Sequence, residues 1–121
     1  MAIRQPADQG PLKPHILLIL MALMGGRTHG YEIRNEVDRL SEGAVRLDLG
    51  TLYRHLGRLL DEGLIDESDE RPADDDPRRR YYVLTDDGVA ALEQEAERME
   101  ALAAAVRAAH PARATGSARA R

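Results

Sequence analysis

Cysteine is absent from the 121 residues, which excludes disulfides, thiolate metal sites and cysteine nucleophiles. Phenylalanine and tryptophan are absent as well, so four tyrosines carry all the aromatic character. The core has to be built from Leu, Ile, Val, Met and Ala, side chains that favour helices over sheets. Lysine is nearly missing, with Lys13 alone against 16 arginines. So general a bias lowers the weight of any single arginine as a chosen contact. Long apolar runs are missing too. The longest, Ile16 to Met24, has nine residues, about half of a membrane span. It has neither the basic start nor the small-residue cleavage site of a signal peptide, so a cytoplasmic location without membrane contact is expected.

What is present is ordinary for one globular domain: 43% hydrophobic residues, 31% charged, and a net charge of −4. That bulk charge argues mildly against a nucleic-acid partner, but it is unevenly spread. Residues 66–76 carry seven acids against Arg71, residues 77–85 carry three arginines and no acid, and residues 86–106 carry six acids against Arg98.

Residues 1–11, with Pro6, Gly10 and Pro11, read as a flexible N-terminal arm. From Leu12 to Met24 the chain is apolar almost all round, which predicts a helix buried on more than one side and ended by Gly25 and Gly26. Thr28 is the predicted N-cap of a second helix with Ile33, Val37 and Leu40 on its apolar face. A turn around Gly43 leads to Asp48, which can cap a third helix running to about Glu62 and ended by Gly63. Leu64 to Glu70 and Arg80 to Leu84 are strand candidates around a polar loop, a β-hairpin. Thr85 caps a last helix with Asp86 and Asp87 in its first turn. Its apolar positions Val89, Leu92, Ala96, Met99, Ala103 and Val106 form a heptad seam. Pro111 is expected to stop it, leaving 110–121 as a disordered tail.

Three helices, a hairpin and a further helix make a mainly α fold with a small β-hairpin. This is the order of a winged helix-turn-helix over residues 12–85, followed by a dimerisation helix over 86–109. On the third helix Leu49, Leu52, Leu56, Leu59 and Leu60 share one arc of about 100°. The opposite arc presents Gly50, Thr51, Arg54, Gly57, Arg58 and Asp61, with Tyr53 and His55 at its flanks. Arginine can bond guanine O6 and N7 bidentately or neutralise a phosphate, threonine can meet a phosphate or a thymine methyl, and the helix N-terminus itself attracts phosphate. The competing reading is an amphipathic surface helix with a solvated face.

Four motifs tie the stretch together: HGYEI at His29 to Ile33, GTLY at Gly50 to Tyr53, RLLDEGLI at Arg58 to Ile65, and RRRYYVLTDDG at Arg78 to Gly88. In order and spacing they resemble the PadR-family transcriptional regulators over about residues 12–106. The resemblance implies a winged-helix DNA-binding domain, a homodimer made through the C-terminal helix, and repression relieved by a small-molecule effector of unknown identity. Gly50, Thr51 and Tyr53 match the family's recognition-helix signature. Arg78, Arg79 and Arg80 match the basic start of its second wing strand, Tyr81 and Tyr82 the aromatics after it, and Thr85 and Gly88 the start of its dimerisation helix. The chain departs from the family pattern at Asp48, where serine is common, at Arg54, where proline is common, and at Leu60, where glutamate is common. Val45 stands near the place of a frequent tryptophan.

The expected DNA-binding residues are therefore Gly50, Thr51, Tyr53, Arg54, His55, Arg58, Arg78, Arg79 and Arg80. Alanine in the seam of the last helix buries little area, so the apolar first helix is expected to share the dimer contact. Leu17, Leu20, Met24, Leu92, Met99 and Leu102 are the interface candidates. Of Tyr81 and Tyr82, on opposite faces of a regular strand, one is expected in the core and the other exposed or beside DNA. The acidic loop 66–76 is read as solvated and mobile, its charge repelling phosphate if it lies near DNA. His15, His29, His55 and His110 form no H-x3-H pair, so a metal or other cofactor is not expected. Ser41 and Ser68 lack a nucleophile elbow and no phosphate loop occurs, so an enzyme is not expected. The reading is a regulator binding a palindromic double-stranded operator as a homodimer. The alternatives are a MarR- or ArsR-type winged-helix regulator and a winged-helix protein-interaction module that binds no DNA.

Overall fold

The structure, a computed structural model, describes residues 10–109. The expected tail 110–121, the stop at Pro111 and most of the expected arm lie outside the described residues. Proline at the first turn of a helix has no N–H to lose there, and Pro14 opens α1 (Pro14–Ala22). Ile19, Leu20 and Leu23 are fully buried, and Ile16, Leu17, Leu18 and Met21 pack partly buried around the same core. The helix is enclosed on more than one side, as its composition predicts. Leu23 and Met24 donate to the carbonyls of Leu20 and Met21, three residues back, which tightens the last turn.

The second helix begins later than its sequence signal. Thr28 and His29 form a short strand, β1 (Thr28–His29), and α2 (Gly30–Leu40) has His29 at its N-cap with no side-chain cap bond. Thr28 is a strand residue and not a cap, because its backbone is taken up in pairing with Tyr82. Ile33 and Val37 bury their side chains completely, on the face the spacing assigned. A turn with positive φ at Glu42 (53°) and Gly43 (82°) leads to α3 (Leu49–Asp61). Gly63, at φ 78°, ends that segment where any other residue would be strained.

The hairpin consists of β2 (Ile65–Ser68) and β3 (Tyr81–Leu84), antiparallel with Ile65 opposite Leu84 and Ser68 opposite Tyr81. β1 adds to the other edge of β3, so the sheet has three strands in the order β1–β3–β2. Arg78, Arg79 and Arg80 lie just before β3, not within it. Both tyrosines are buried, Tyr82 at 1% exposure and Tyr81 at 7%, which corrects the expectation that one would face out. Tyr82 joins the main core. Tyr81 meets the His29 ring at right angles and lies under the Arg71 guanidinium, and its hydroxyl donates to Asp75. The acidic loop is therefore folded back on the strand and is not simply solvated.

The last helix, α4 (Asp86–Ala120), starts at a close approach to β2. Thr85 Oγ1 donates to the Gly63 carbonyl at 2.6 Å and accepts from the Gly88 amide at 3.0 Å, the capping role its position predicts. A Cβ on Gly88 would sit 2.1 Å from the Leu64 carbonyl oxygen. Gly88→Ala is therefore expected to destabilise the domain by about 2–3 kcal/mol, in the range of overpacked core substitutions, read as a lowered urea midpoint with unchanged slope. An unchanged midpoint would show that α4 can pull away from β2 at no cost. Ala91 and Leu92 complete the core. Buried Glu95, 5% exposed, accepts from the Leu12 amide at 3.1 Å and pairs with Arg98. The start of the domain is thus tied to α4 from Leu12 onward.

Candidate nucleic-acid interface

α3 buries Leu52, Leu56 and Leu59 and leaves Gly50, Tyr53, Arg54 and Arg58 exposed, with Thr51, His55 and Gly57 half-exposed. Leu49 and Leu60, at the borders of the apolar arc, are half-buried. The polar arc read from the sequence is thus the arc that faces out. Asp48 caps the helix, accepting from the Thr51 amide at 2.7 Å. Hydrogen bonds from the Thr51 backbone and then its side chain hold the Asp48 carboxyl below the usual carboxylate range. The Asp48 carboxylate thus takes the Thr51 amide, the capping role its position predicts, and sets a negative charge at the start of the recognition arc. A lowered folded-state pKa adds stability that is present above the unfolded carboxylate range and is lost as pH falls through the folded value. Wild-type protein should thus exceed Asp48→Asn in stability at neutral pH, with the difference shrinking below about pH 4. A difference that is constant across an acid titration of the urea midpoint would remove this role.

One turn along, Arg54 Nη2 donates to Thr51 Oγ1 at 3.2 Å, which places a guanidinium and a hydroxyl side by side on the exposed face. Tyr53 does two things. Its hydroxyl packs over the start of α2, where a Cβ on Gly30 would meet Tyr53 Oη at 2.4 Å, yet 40% of the residue remains exposed. Gly30 is thus the glycine that lets α2 and α3 meet, and Tyr53 is a packing residue as well as a surface one. The histidines are not all isolated. The His15 and His55 rings meet at a tilt of 49° with centroids 4.6 Å apart, bringing the start of α1 against α3. Burial, and then the positive charge of His15, Arg54, Arg58 and Lys13, pushes the His55 imidazole below its ordinary range. It therefore stands neutral near pH 7 beside the two arginines, with one ring nitrogen to donate and one to accept.

The hairpin brings its arginines to the same side. A groove of about 350 Å³ runs between α3 and the hairpin, lined by Tyr53, Gly57, Leu60, Arg78, Arg80 and Tyr82. Residues 18 or more positions apart in sequence therefore share one wall. Of the nine assigned residues it takes Tyr53, Arg78 and Arg80; His55 and Arg58 line a separate pocket against the start of α1, and Arg79 turns toward Asp75. α2 adds two residues that the sequence reading passed over. Tyr31 is 49% exposed, and the Arg34 guanidinium lies 5.6 Å from its ring centroid. An exposed aromatic in the first turn of α2, with a cation one position short of i+4, was the available signal.

The assigned dimer residues divide. Leu20 and Leu92 are core residues of the domain itself and are not free for a partner, and Leu17 is half-buried against the same core. Met24, Met99 and Leu102 are exposed at 66%, 43% and 55%, and Val89 and Val106 continue the bare apolar face along α4. Among the described residues, no group of three or more His, Asp or Glu side chains is placed to hold a metal, and no helix is long and apolar enough to cross a membrane.

The family model described as "Transcriptional regulator PadR-like family" matches residues 19–94. Among solved structures, a PadR family transcription regulator from Clostridium difficile is 26% identical, with a TM-score of 0.64 over 78% of this chain and 96% of that one. A PadR-like transcriptional regulator from Bacillus cereus is 25% identical, with a TM-score of 0.63 over 76% and 86%. Bacillus subtilis PadR, solved in complex with operator DNA, shares the fold at 24% identity and a TM-score of 0.58, over 68% of this chain and 46% of that one. An uncharacterized 37.1 kDa protein of a Streptomyces fradiae transposon is 37% identical over 90 residues, 74% of this chain, but the match spans only 24% of that protein.

Proposed function

Because this chain belongs to the PadR-like family of transcriptional regulators, we propose that it binds double-stranded operator DNA sequence-specifically, as a homodimer on a palindromic site, and represses transcription. The observation that carries the reading is the shared wall of α3 and the hairpin, where Tyr53, Arg78 and Arg80 line one groove, with Arg54 and Arg58 exposed on the same helix. In this reading α3 enters the major groove, Thr51 and Arg54 meet base edges, and the wing arginines and Arg58 meet phosphates. α2 crosses the backbone, bringing Tyr31 and Arg34 near it. The operator-bound Bacillus subtilis relative supports the same use of the shared fold.

The homodimer is made by the exposed face of α4 with Met24, and its geometry sets the half-site separation. A small-molecule effector of unknown identity relieves repression by changing the distance between the two recognition helices. The site of action is the cytoplasm, where the DNA lies. The test is a shift assay of the purified protein on DNA upstream of its own gene at two salt concentrations. A specific band that weakens steeply with salt is expected, and no specific band at low salt would overturn the reading.

A further inference from the structure

Arg78, Arg79 and Arg80 each already face a carboxylate of the same wing. Arg78 forks onto Asp76, with Nε 3.2 Å from Oδ1 and Nη2 3.2 Å from Oδ2. Arg79 Nη1 lies 2.9 Å from Asp75 Oδ1, and Arg80 Nη1 lies 3.4 Å from Glu67 Oε2 on β2. Two of these acids are anchored independently of the guanidiniums. Asp75 accepts from the Tyr81 hydroxyl at 2.6 Å and its side chain is only 9% exposed, while Asp76 accepts from the Arg78 backbone amide at 2.9 Å. Both carboxyls are held below the usual range, Asp75 first by the Tyr81 hydroxyl and Asp76 first by the Arg78 side chain, so both stay charged at neutral pH. The arginines remain open to solvent on their outer sides, at 89% exposure for the Arg78 side chain and 67% for Arg80.

A carboxylate on a guanidinium fork is the internal counterpart of a phosphate. Resting on the DNA-binding reading above, we propose that Glu67, Asp75 and Asp76 are specificity-determining residues: carboxylates that occupy the wing guanidiniums, so that random duplex gains little from the wing. Exposed ion pairs are individually weak. A duplex already held by base contacts at α3 keeps its phosphates beside the wing long enough to displace them, and a passing non-cognate duplex does not. The acids thus subtract most from binding that depends on phosphate alone, which raises the ratio of specific to non-specific affinity.

The test uses the full chain and a labelled duplex of scrambled sequence, titrated between about 50 and 200 mM salt. The triple variant Glu67→Gln, Asp75→Asn, Asp76→Asn keeps acceptors for Tyr81 and the Arg78 amide and removes three negative charges. It is expected to bind the scrambled duplex on the order of tenfold more tightly at the low-salt end, with a salt slope steeper by about one unit per arginine released. The control variant Glu93→Gln, Glu97→Gln, Glu100→Gln makes the same charge change on the exposed side of α4 and should leave the slope unchanged. Adding Arg78→Ala, Arg79→Ala and Arg80→Ala to the triple variant should abolish the gain. Equal gains in the wing and α4 variants, or no gain in the wing variant, overturn the proposal. If the triple variant does not fold, Glu67→Gln alone, which frees only Arg80, must still steepen the slope, and a flat result there is equally contrary. A wild-type chain that binds no DNA at low salt, upstream or scrambled, overturns the DNA-binding reading itself.

Discussion

Replacing Arg54 by alanine is expected to cut affinity for the operator by roughly 10- to 100-fold, the span of a lost bidentate base contact, and to leave binding to scrambled duplex within a few-fold. The side chain is exposed on α3 and held beside the Thr51 hydroxyl at 3.2 Å, so it reaches a base edge already oriented. An oriented fork loses less freedom on binding than a free one. Because Arg54 is outside the core, the variant should melt with the wild type, and the loss can be read as recognition, not folding. Arg78→Ala should differ in its salt dependence, lowering the slope of operator binding by about one and leaving scrambled duplex, from which Asp76 already withholds the guanidinium, little changed. If Arg54→Ala lost affinity equally for every sequence, the residue would be a phosphate contact and base reading would have to lie elsewhere on α3.

The second large effect concerns assembly. Met99→Asp with Leu102→Asp is expected to convert a dimer into a monomer and to reduce operator affinity by roughly 10²- to 10⁴-fold, the gain that linking two half-site contacts supplies. Met99 and Leu102 are 43% and 55% exposed in the protomer. Charging them costs the isolated domain little, whereas Leu92→Asp would strike the core at a residue only 9% exposed. Sedimentation separates the cases: half the wild-type mass with an unchanged melt is expected for the double variant. An unchanged mass rejects the α4 face as the dimer contact. The division of the six assigned residues has a plain cause. A heptad seam marks apolar positions without saying which partner covers them, and in the first turns of α4 the partner is the domain's own core.

The parts of the molecule set by local chemistry were legible in the sequence. The leucine spacing of α3, the Asp48 cap, the stop at Gly63 and the Thr85 cap with Gly88 after it all depend on residues within one or two turns, and the structure reproduces each. What was not legible depends on pairs remote in the chain. β1 is two residues long and exists only because Tyr81 and Tyr82 lie beside it; two residues carry no period, and threonine serves a cap and a strand equally well. Tyr81 on an isolated strand would face water, and it is buried because the acidic loop supplies Arg71 and Asp75 over it. The His15–His55 contact joins residues on α1 and α3, so spacing rules for metal or catalytic pairs could not have found it. The charge runs at 66–76 and 77–85 were visible as runs, but the pairing of Glu67, Asp75 and Asp76 with the three arginines needed the fold of the wing.

The placement of the charges also reconciles the net charge of −4 with a DNA-binding face. Three of the seven wing-loop acids, Glu67, Asp75 and Asp76, are engaged by the wing arginines and Glu70 by Arg27, those of α4 lie along the proposed dimer helix, and the exposed arc of α3 carries Arg54 and Arg58. A chain so arranged depends less on bulk attraction to phosphate than a basic domain does.

The most direct measurement is enrichment of bound sequences from a pool of random duplexes by the purified full chain at low salt. The expected result is one two-fold-symmetric motif whose half-sites lie about 10 base pairs, or a multiple of that, apart, with the motif lost when the protein carries Arg54→Ala. A pool that emerges unenriched, from protein shown to be folded, would contradict sequence reading by α3.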